Sequence, residues 1–313
     1  MSEVDPFACF NDNNEDEEAL TSDAASSLPR IRSPECSVLA FHRGTEKSLL
    51  THVRSKASRG SPESILKAID DFSSRRHWMM HVGPEKALIL KSFLTQCVQN
   101  RNTENQNEPF VLVELGTYCG YSSILWADTL QRLGIDFHVY TLEATFEFVH
   151  IATEMIALSG LASSISVLHL DLERNQHLIE LLRRNKLSRL DFLFLDHDKD
   201  AYLQDLKELE QASFVGKGVY VAADNVLFAG IDNYRQYIQL LVHKGIVRSN
   251  LVRTNLEYSE QEREIEPSSS LYEDGIGKFK ISPGLFSSKL ILVAPLELTL
   301  YLEHPIDVYT SNY

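Results

Sequence analysis

Two short stretches carry residues whose types and spacing could hold a divalent metal: Asp196-His197-Asp198-Lys199-Asp200 and Ala223-Asp224-Asn225. Each follows an apolar run, Phe192–Leu195 and Val219–Ala222, that reads as a strand buried on both faces. In open α/β sheets the carboxyl ends of such strands form the binding crevice. Two carboxylates and an amide at that edge, Asp196, Asp224 and Asn225, are hard oxygen ligands that suit Mg²⁺ better than zinc. Lys199, three residues after Asp196, adds a titratable amine. A metal with a general base beside it points to chemistry on an oxygen. Asp and Asn also cap helices after strands, which would explain any one of these residues but poorly explains both clusters together.

A second constellation lies upstream. Glu114-Leu115-Gly116-Thr117-Tyr118-Cys119-Gly120-Tyr121-Ser122 closes one strand and opens a helix. Glycines there let backbone approach a ligand closely, and the helix start offers free N–H groups. Glu143, 27 residues after Gly116, ends the next strand, where an acid can accept hydrogen bonds from both ribose hydroxyls. The spacing is neither the dinucleotide GxGxxG nor a GK[ST] phosphate loop. A nucleoside cofactor without a pyrophosphate fits best, so S-adenosylmethionine is preferred over NAD.

The elements that must position these residues follow from periodicity. Apolar spacing turns helical from Thr45. Ser61-Pro62-Glu63 reads as a helix start, with Ile65, Leu66, Ile69 and Phe72 on one face. A further helix follows Gly83-Pro84, with Leu88, Leu90, Phe93 and Leu94 as its apolar positions. Strands are expected at Phe110–Leu115, Phe137–Leu142, Ile165–Leu170, Leu190–Leu195 and Val219–Ala223, alternating with helices. Late strands at Asn250–Tyr258 and Lys278–Ile281, and an apolar run at Leu290–Pro295, would complete the sheet. The expected fold is α/β: a Rossmann-like, doubly wound, mostly parallel seven-stranded sheet with helices on both faces and extra N-terminal helices.

Composition limits the partners. Eight acids and no base precede Arg30, so that stretch carries −8 of the net −14 and residues 1–42 read as a disordered acidic tail. Residues 43–313 form one domain, with about 282–313 an extension of uncertain structure. No basic stripe suits a nucleic acid. The four cysteines, Cys9, Cys36, Cys97 and Cys119, lack metal-site spacing. No apolar run reaches 18 residues and the N-terminus is acidic, so a cytoplasmic monomer acting on a small molecule is expected, with neither nucleic acid nor membrane as partner.

With these residues in view, the chain resembles the catechol O-methyltransferase family, class I S-adenosylmethionine-dependent enzymes that use Mg²⁺. The pieces that carry the likeness are HVRSKASRGSPESILKAIDDF, HWMMHVG, VELGTYCGYSS, YTLEA, LDFLFLDHDKDAYL, VAADNV and NLEY, in the family's order from Glu46 to Tyr258. The resemblance implies that Asp196, Asp224 and Asn225 hold Mg²⁺, with Asp196 and His197 also close to the cofactor. It makes Lys199 the base and Glu257 the partner of the substrate's second hydroxyl. Glu143 would hold the ribose. Val82, Glu114, Gly116, Tyr118 and Ser122 would line the methionine part, and Trp78 and Met80 the wall between cofactor and substrate.

The chain also departs from the family. Asp198 stands where the family places a tryptophan, and Ala229 where it places a proline that forms one side of the catechol cleft. The loop His169-Leu170-Asp171-Leu172 lacks the Ser-Gln pair that serves the adenine, and Asp171 could accept from the adenine amino group instead. The expected reaction is methyl transfer from S-adenosylmethionine to one hydroxyl of a catechol or catechol-like substrate. The rival from another class is a non-catalytic S-adenosylmethionine-binding scaffold of the same fold. An NAD-dependent oxidoreductase is disfavoured by the missing GxGxxG.

Overall fold

The computed structural model describes residues 44–77, 79–101, 108–172, 177–227, 231–252 and 296–301. The tail, Trp78, Ala229, Glu257, Lys278–Ile281 and Leu290–Pro295 lie outside the described residues.

Three helices come first: α1 (Thr45–Lys56), α2 (Pro62–Arg75) and α3 (Gly83–Gln99). Ser61 caps α2 by accepting from the Ser64 N–H at 3.3 Å, and Pro62 opens the first turn, as expected. Then β1 (Phe110–Leu115), α4 (Tyr121–Arg132), β2 (Phe137–Glu143), α5 (Phe146–Ser159) and β3 (Ile165–His169) step outward. α6 (Leu178–Arg184) carries the chain back to β4 (Phe192–Leu195), and α7 (Tyr202–Gln211) leads to β5 (Tyr220–Ala223). α8 (Asp232–His243), β6 (Val247–Val252) and β7 (Leu296–Tyr301) complete the described elements.

The seven strands lie in the order β3-β2-β1-β4-β5-β7-β6. The chain reverses direction across the sheet between β1 and β4, which opens a crevice at their carboxyl ends. Side chains alternate across each strand. Phe192 and Phe194 of β4 face the core beneath α1–α5, whereas Leu193 and Leu195 face α6–α8. Both faces are therefore covered, and β4 and β5 are buried throughout. Phe72 of α2 and Phe93 of α3 are almost fully enclosed. Burial of such side chains stabilises by roughly 1.5–3 kcal/mol each, enough to fix the N-terminal helices over the sheet.

Two expectations change. Leu88 is half exposed, because it lies two residues from Leu90 and so on the other side of α3; the buried face carries Lys86, Ala87, Ile89, Leu90, Phe93, Leu94 and Cys97. The late strands, expected as Asn250–Tyr258 and Lys278–Ile281 and antiparallel at one edge, are also placed differently among the described residues: β7 sits between β5 and β6, antiparallel to both. Its Leu296 and Leu298 pack beneath α1–α5 while Tyr301 packs beneath α6–α8, so the C-terminal extension supplies an interior strand. β7 begins just past Pro295, which has no N–H to give a ladder.

Candidate active site

Register aligns the strand ends. Leu115 of β1 pairs with Leu142 of β2 and with Leu195 of β4, and Leu195 pairs with Ala223 of β5. The next residues, Gly116, Glu143, Asp196 and Asp224, therefore share one edge. The ladder continues one step further: the Asp196 N–H donates to Leu115 O and the Asp224 N–H to Leu195 O, both at 2.9 Å. Adjacent strands are about 4.8 Å apart, so the two carboxylates are neighbours.

Gly116 makes this edge possible. Its φ is +100°, and a Cβ there would meet Asp196 O at 2.3 Å. The glycine thus admits the backbone of Asp196 as well as any ligand. Asn225 has φ +60°, and its N–H donates to Asp224 Oδ1 at 2.8 Å. Lys199 opens the short turn Lys199–Ala201, and its amine donates to Asp196 Oδ1 at 3.1 Å and to Tyr202 Oη at 2.7 Å. Burial pushes the Asp196 carboxyl up; Lys199 opposes this, Asp224 adds to it and Lys86 opposes it again.

Three residues of this edge were not anticipated. Tyr202 is fully buried, and its Oη reaches Leu195 O at 2.7 Å and Asp224 O at 3.1 Å, tying the ends of β4 and β5 together. Burial, then the charges of Asp196 and Asp224, hold its phenol well above the ordinary range, so it stays protonated. Lys86 of α3 brings its ammonium onto Asp224 Oδ2 and to 3.5 Å from Asn225 Oδ1. Glu46 of α1 accepts from Tyr118 Oη at 2.8 Å. Lys86 and Glu46 gave a signal in the chain, because each lies in helical phase with an apolar stripe: Lys86 with Leu90 and Phe93, Glu46 with Leu49, Leu50 and Val53.

The cofactor side is built around Glu143. Its carboxylate accepts from the Tyr118 N–H and the Thr145 N–H, each at 2.8 Å, which joins the glycine loop to the end of β2. Burial raises its pKa, and those two backbone donors restrain the rise. Tyr118 is held at φ +48° with its ring edge-on to Phe148. Glu114 is fully enclosed and accepts from Ser123, from Trp126 Nε1 at 3.1 Å and from Thr141 Oγ1 at 2.6 Å. Burial pushes its pKa up to about 7. Its side chain fastens α4 beneath the loop, and buried Ser122 also stabilises its charge.

Val82 is buried directly before α3 and Met80 is half-buried. His197 stacks on Tyr202 and hydrogen-bonds Asp205 Oδ2 at 2.8 Å through Nε2, while its buried Nδ1 has no hydrogen-bond partner among the described residues. Asp198 is exposed and caps the Lys199 turn by accepting from the Asp200 N–H at 3.3 Å. Asp171 is half-buried beyond β3, next to exposed Leu172.

These groups can hold a nucleoside over β1 and β2 and, with oxygen ligands, a hard cation over β4 and β5. Among the described residues no group of three His, Cys, Asp or Glu side chains converges to hold a metal, so the candidate set is two carboxylates and the Asn225 amide. An all-oxygen set of that kind fits Mg²⁺.

Comparison with known proteins decides the family. A family profile described as O-methyltransferase matches residues 57–276. The chain belongs to the O-methyltransferase family. Bovine (Bos taurus) catechol O-methyltransferase is 33% identical over 195 residues, 62% of this chain and 66% of that protein. The zebrafish (Danio rerio) catechol O-methyltransferase B is 32% identical over 221 residues, 70% of this chain and 76% of that one. An O-methyltransferase from Bacillus cereus, solved in complex with SAH, has the same fold, with a TM-score of 0.50 at 17% identity over 76% of this chain and 90% of that one. The sheet of this O-methyltransferase is thus the class I S-adenosylmethionine-dependent fold, with the glycine loop at its switch point and Glu143 at the end of the neighbouring β2. No helix among its described residues is long and apolar enough to cross a membrane.

Proposed function

We propose that this O-methyltransferase moves a methyl group from S-adenosylmethionine to one hydroxyl of a catechol or catechol-like substrate, with Mg²⁺ held by Asp196, Asp224 and Asn225. The observation that carries this reading is Lys199, whose amine lies 3.1 Å from Asp196 Oδ1 at the edge where Asp224 and Asn225 also end. The likeness to catechol O-methyltransferases supports the substrate class.

When bound, S-adenosylmethionine supplies an electrophilic methyl whose sulfur keeps the bonding electron pair, and Mg²⁺ supplies a Lewis acid that favours an ionised hydroxyl. Lys199, in its neutral form, takes the proton of the attacking hydroxyl, and its bonds to Asp196 and Tyr202 hold the amine at that spot. Glu257 accepts from the second hydroxyl. Glu143 accepts from the ribose with lone pairs left free by Tyr118 and Thr145. His197 and Asp171 flank the adenine, and Val82, Glu114, Gly116, Tyr118 and Ser122 line the methionine part. Trp78, Met80 and Asp198 border the substrate. Displacement at a sulfonium methyl requires the oxygen in line with the C–S bond, so positioning supplies much of the acceleration, up to about 7–11 kcal/mol in well-oriented systems. Free, buried Cys97 and Cys119 suit a reducing, cytoplasmic setting.

A second reading, a non-catalytic S-adenosylmethionine-binding scaffold, is favoured by Lys86, whose ammonium already sits on two of the three metal donors. Incubation with isotopically labelled S-adenosylmethionine, a catechol panel and Mg²⁺, read by mass spectrometry, separates the two. The proposed activity yields a labelled monomethyl ether, whereas a scaffold binds the cofactor and yields none.

A further inference from the structure

Lys86 is a charged residue on the buried face of α3, with 6% of its surface exposed. Its ammonium donates to Asp224 Oδ2 and lies 3.5 Å from Asn225 Oδ1. Lys199 serves Asp196 in the same way. Two carboxylates are thus balanced by two ammonium groups from the chain itself, and Asp224, at 1% exposure, would otherwise be a buried lone charge. A divalent cation entering here must share Asp224 and Asn225 with Lys86 and adds two like charges beside it.

Resting on the Mg²⁺ reading above, we propose that Lys86 is a resident counter-ion that competes with the metal for Asp224 and Asn225 and so sets how tightly the metal binds. Together with Lys199, which pairs with Asp196, the residue keeps the carboxylate pair neutral while no metal is present. It also makes metal uptake weak until an ionised hydroxyl brings compensating negative charge.

Calorimetric titration with MgCl₂ alone, without cofactor or substrate, tests this on the full chain. Lys86→Met should bind Mg²⁺ at least about tenfold more tightly than the wild type, because a like charge beside the ion is gone. Lys86→Arg keeps that charge and should stay within about threefold of the wild type. In chelator, Lys86→Met should melt below the wild type and recover more on adding Mg²⁺. Wild-type binding with no tightening in Lys86→Met overturns this inference and leaves the metal reading standing. Absence of binding in both proteins overturns this inference, and methyl transfer assayed with Mg²⁺ and with chelator then decides the metal reading. Binding by Lys86→Met alone supports the competition, because Lys86 keeps uptake by the wild type weak until an ionised hydroxyl is present. Should Lys86→Met not fold in chelator, the native circular-dichroism spectrum is followed as Mg²⁺ is raised. Recovery supports the competition, and no recovery at millimolar metal overturns it.

Discussion

Lys199 bonds both Asp196 and the buried phenol of Tyr202, so its amine is fixed at one point of the crevice rather than free on the surface. As a general base it should matter for the chemical step and little for the cofactor, whose proposed anchors lie at the ends of β1 and β2. Lys199→Met is expected to lower turnover by about 10²–10⁴-fold. Calorimetric affinity for S-adenosylmethionine should hardly change. Near-normal turnover would return Lys199 to a structural tie. Glu114 makes a different prediction. Its pKa is about 7 in the fold against an ordinary 4.5, so the folded state holds the proton more tightly. That contribution is fully present below 4.5 and is lost as pH rises through about 7. Thermal midpoints should therefore fall across this window, by up to about 3 kcal/mol of stability. Glu114→Gln should flatten that slope; an unchanged slope would assign it to other groups. Asp198 shows how far a single position can be read. The missing tryptophan is plain in the chain, yet the use of this carboxylate as a cap for the Lys199 turn is a matter of backbone geometry.

At the scale of elements, Gly116 links β1 to β4. Any side chain there would collide with the carbonyl of Asp196, so Gly116→Ala must push apart the glycine loop and the end of β4. We expect loss of both Mg²⁺ and S-adenosylmethionine affinity from this one substitution, measured by titration of each ligand separately. Loss of only one would mean that the two halves of the crevice are not coupled through this contact. The strand-end motifs were legible because hard-ligand chemistry and buried strands are both local patterns. The helix residues that complete the edge were not, since nothing local says what a buried Lys86 or Glu46 will meet. The positions of α3 and α1 relative to the sheet decide that. The phase of Leu88 failed for a related reason: α3 has apolar residues on more than one side, and only packing selects the face.

For the whole molecule, alternation of strands and helices made the doubly wound sheet readable, and its order follows from the reversal between β1 and β4. The interior place of β7 was not readable. An antiparallel strand that arrives from a distant part of the chain leaves no local mark of its neighbours. The central claim is that this O-methyltransferase needs a divalent metal held at the ends of β4 and β5 to methylate a catechol. The most direct measurement is methyl transfer from labelled S-adenosylmethionine to a catechol, assayed with Mg²⁺, with chelator, and with Asp196→Ala. The account predicts a labelled monomethyl catechol with Mg²⁺ only. Chelation and Asp196→Ala should each abolish it, while the variant keeps its fold by circular dichroism. Full activity in chelator, or in Asp196→Ala, would contradict the account.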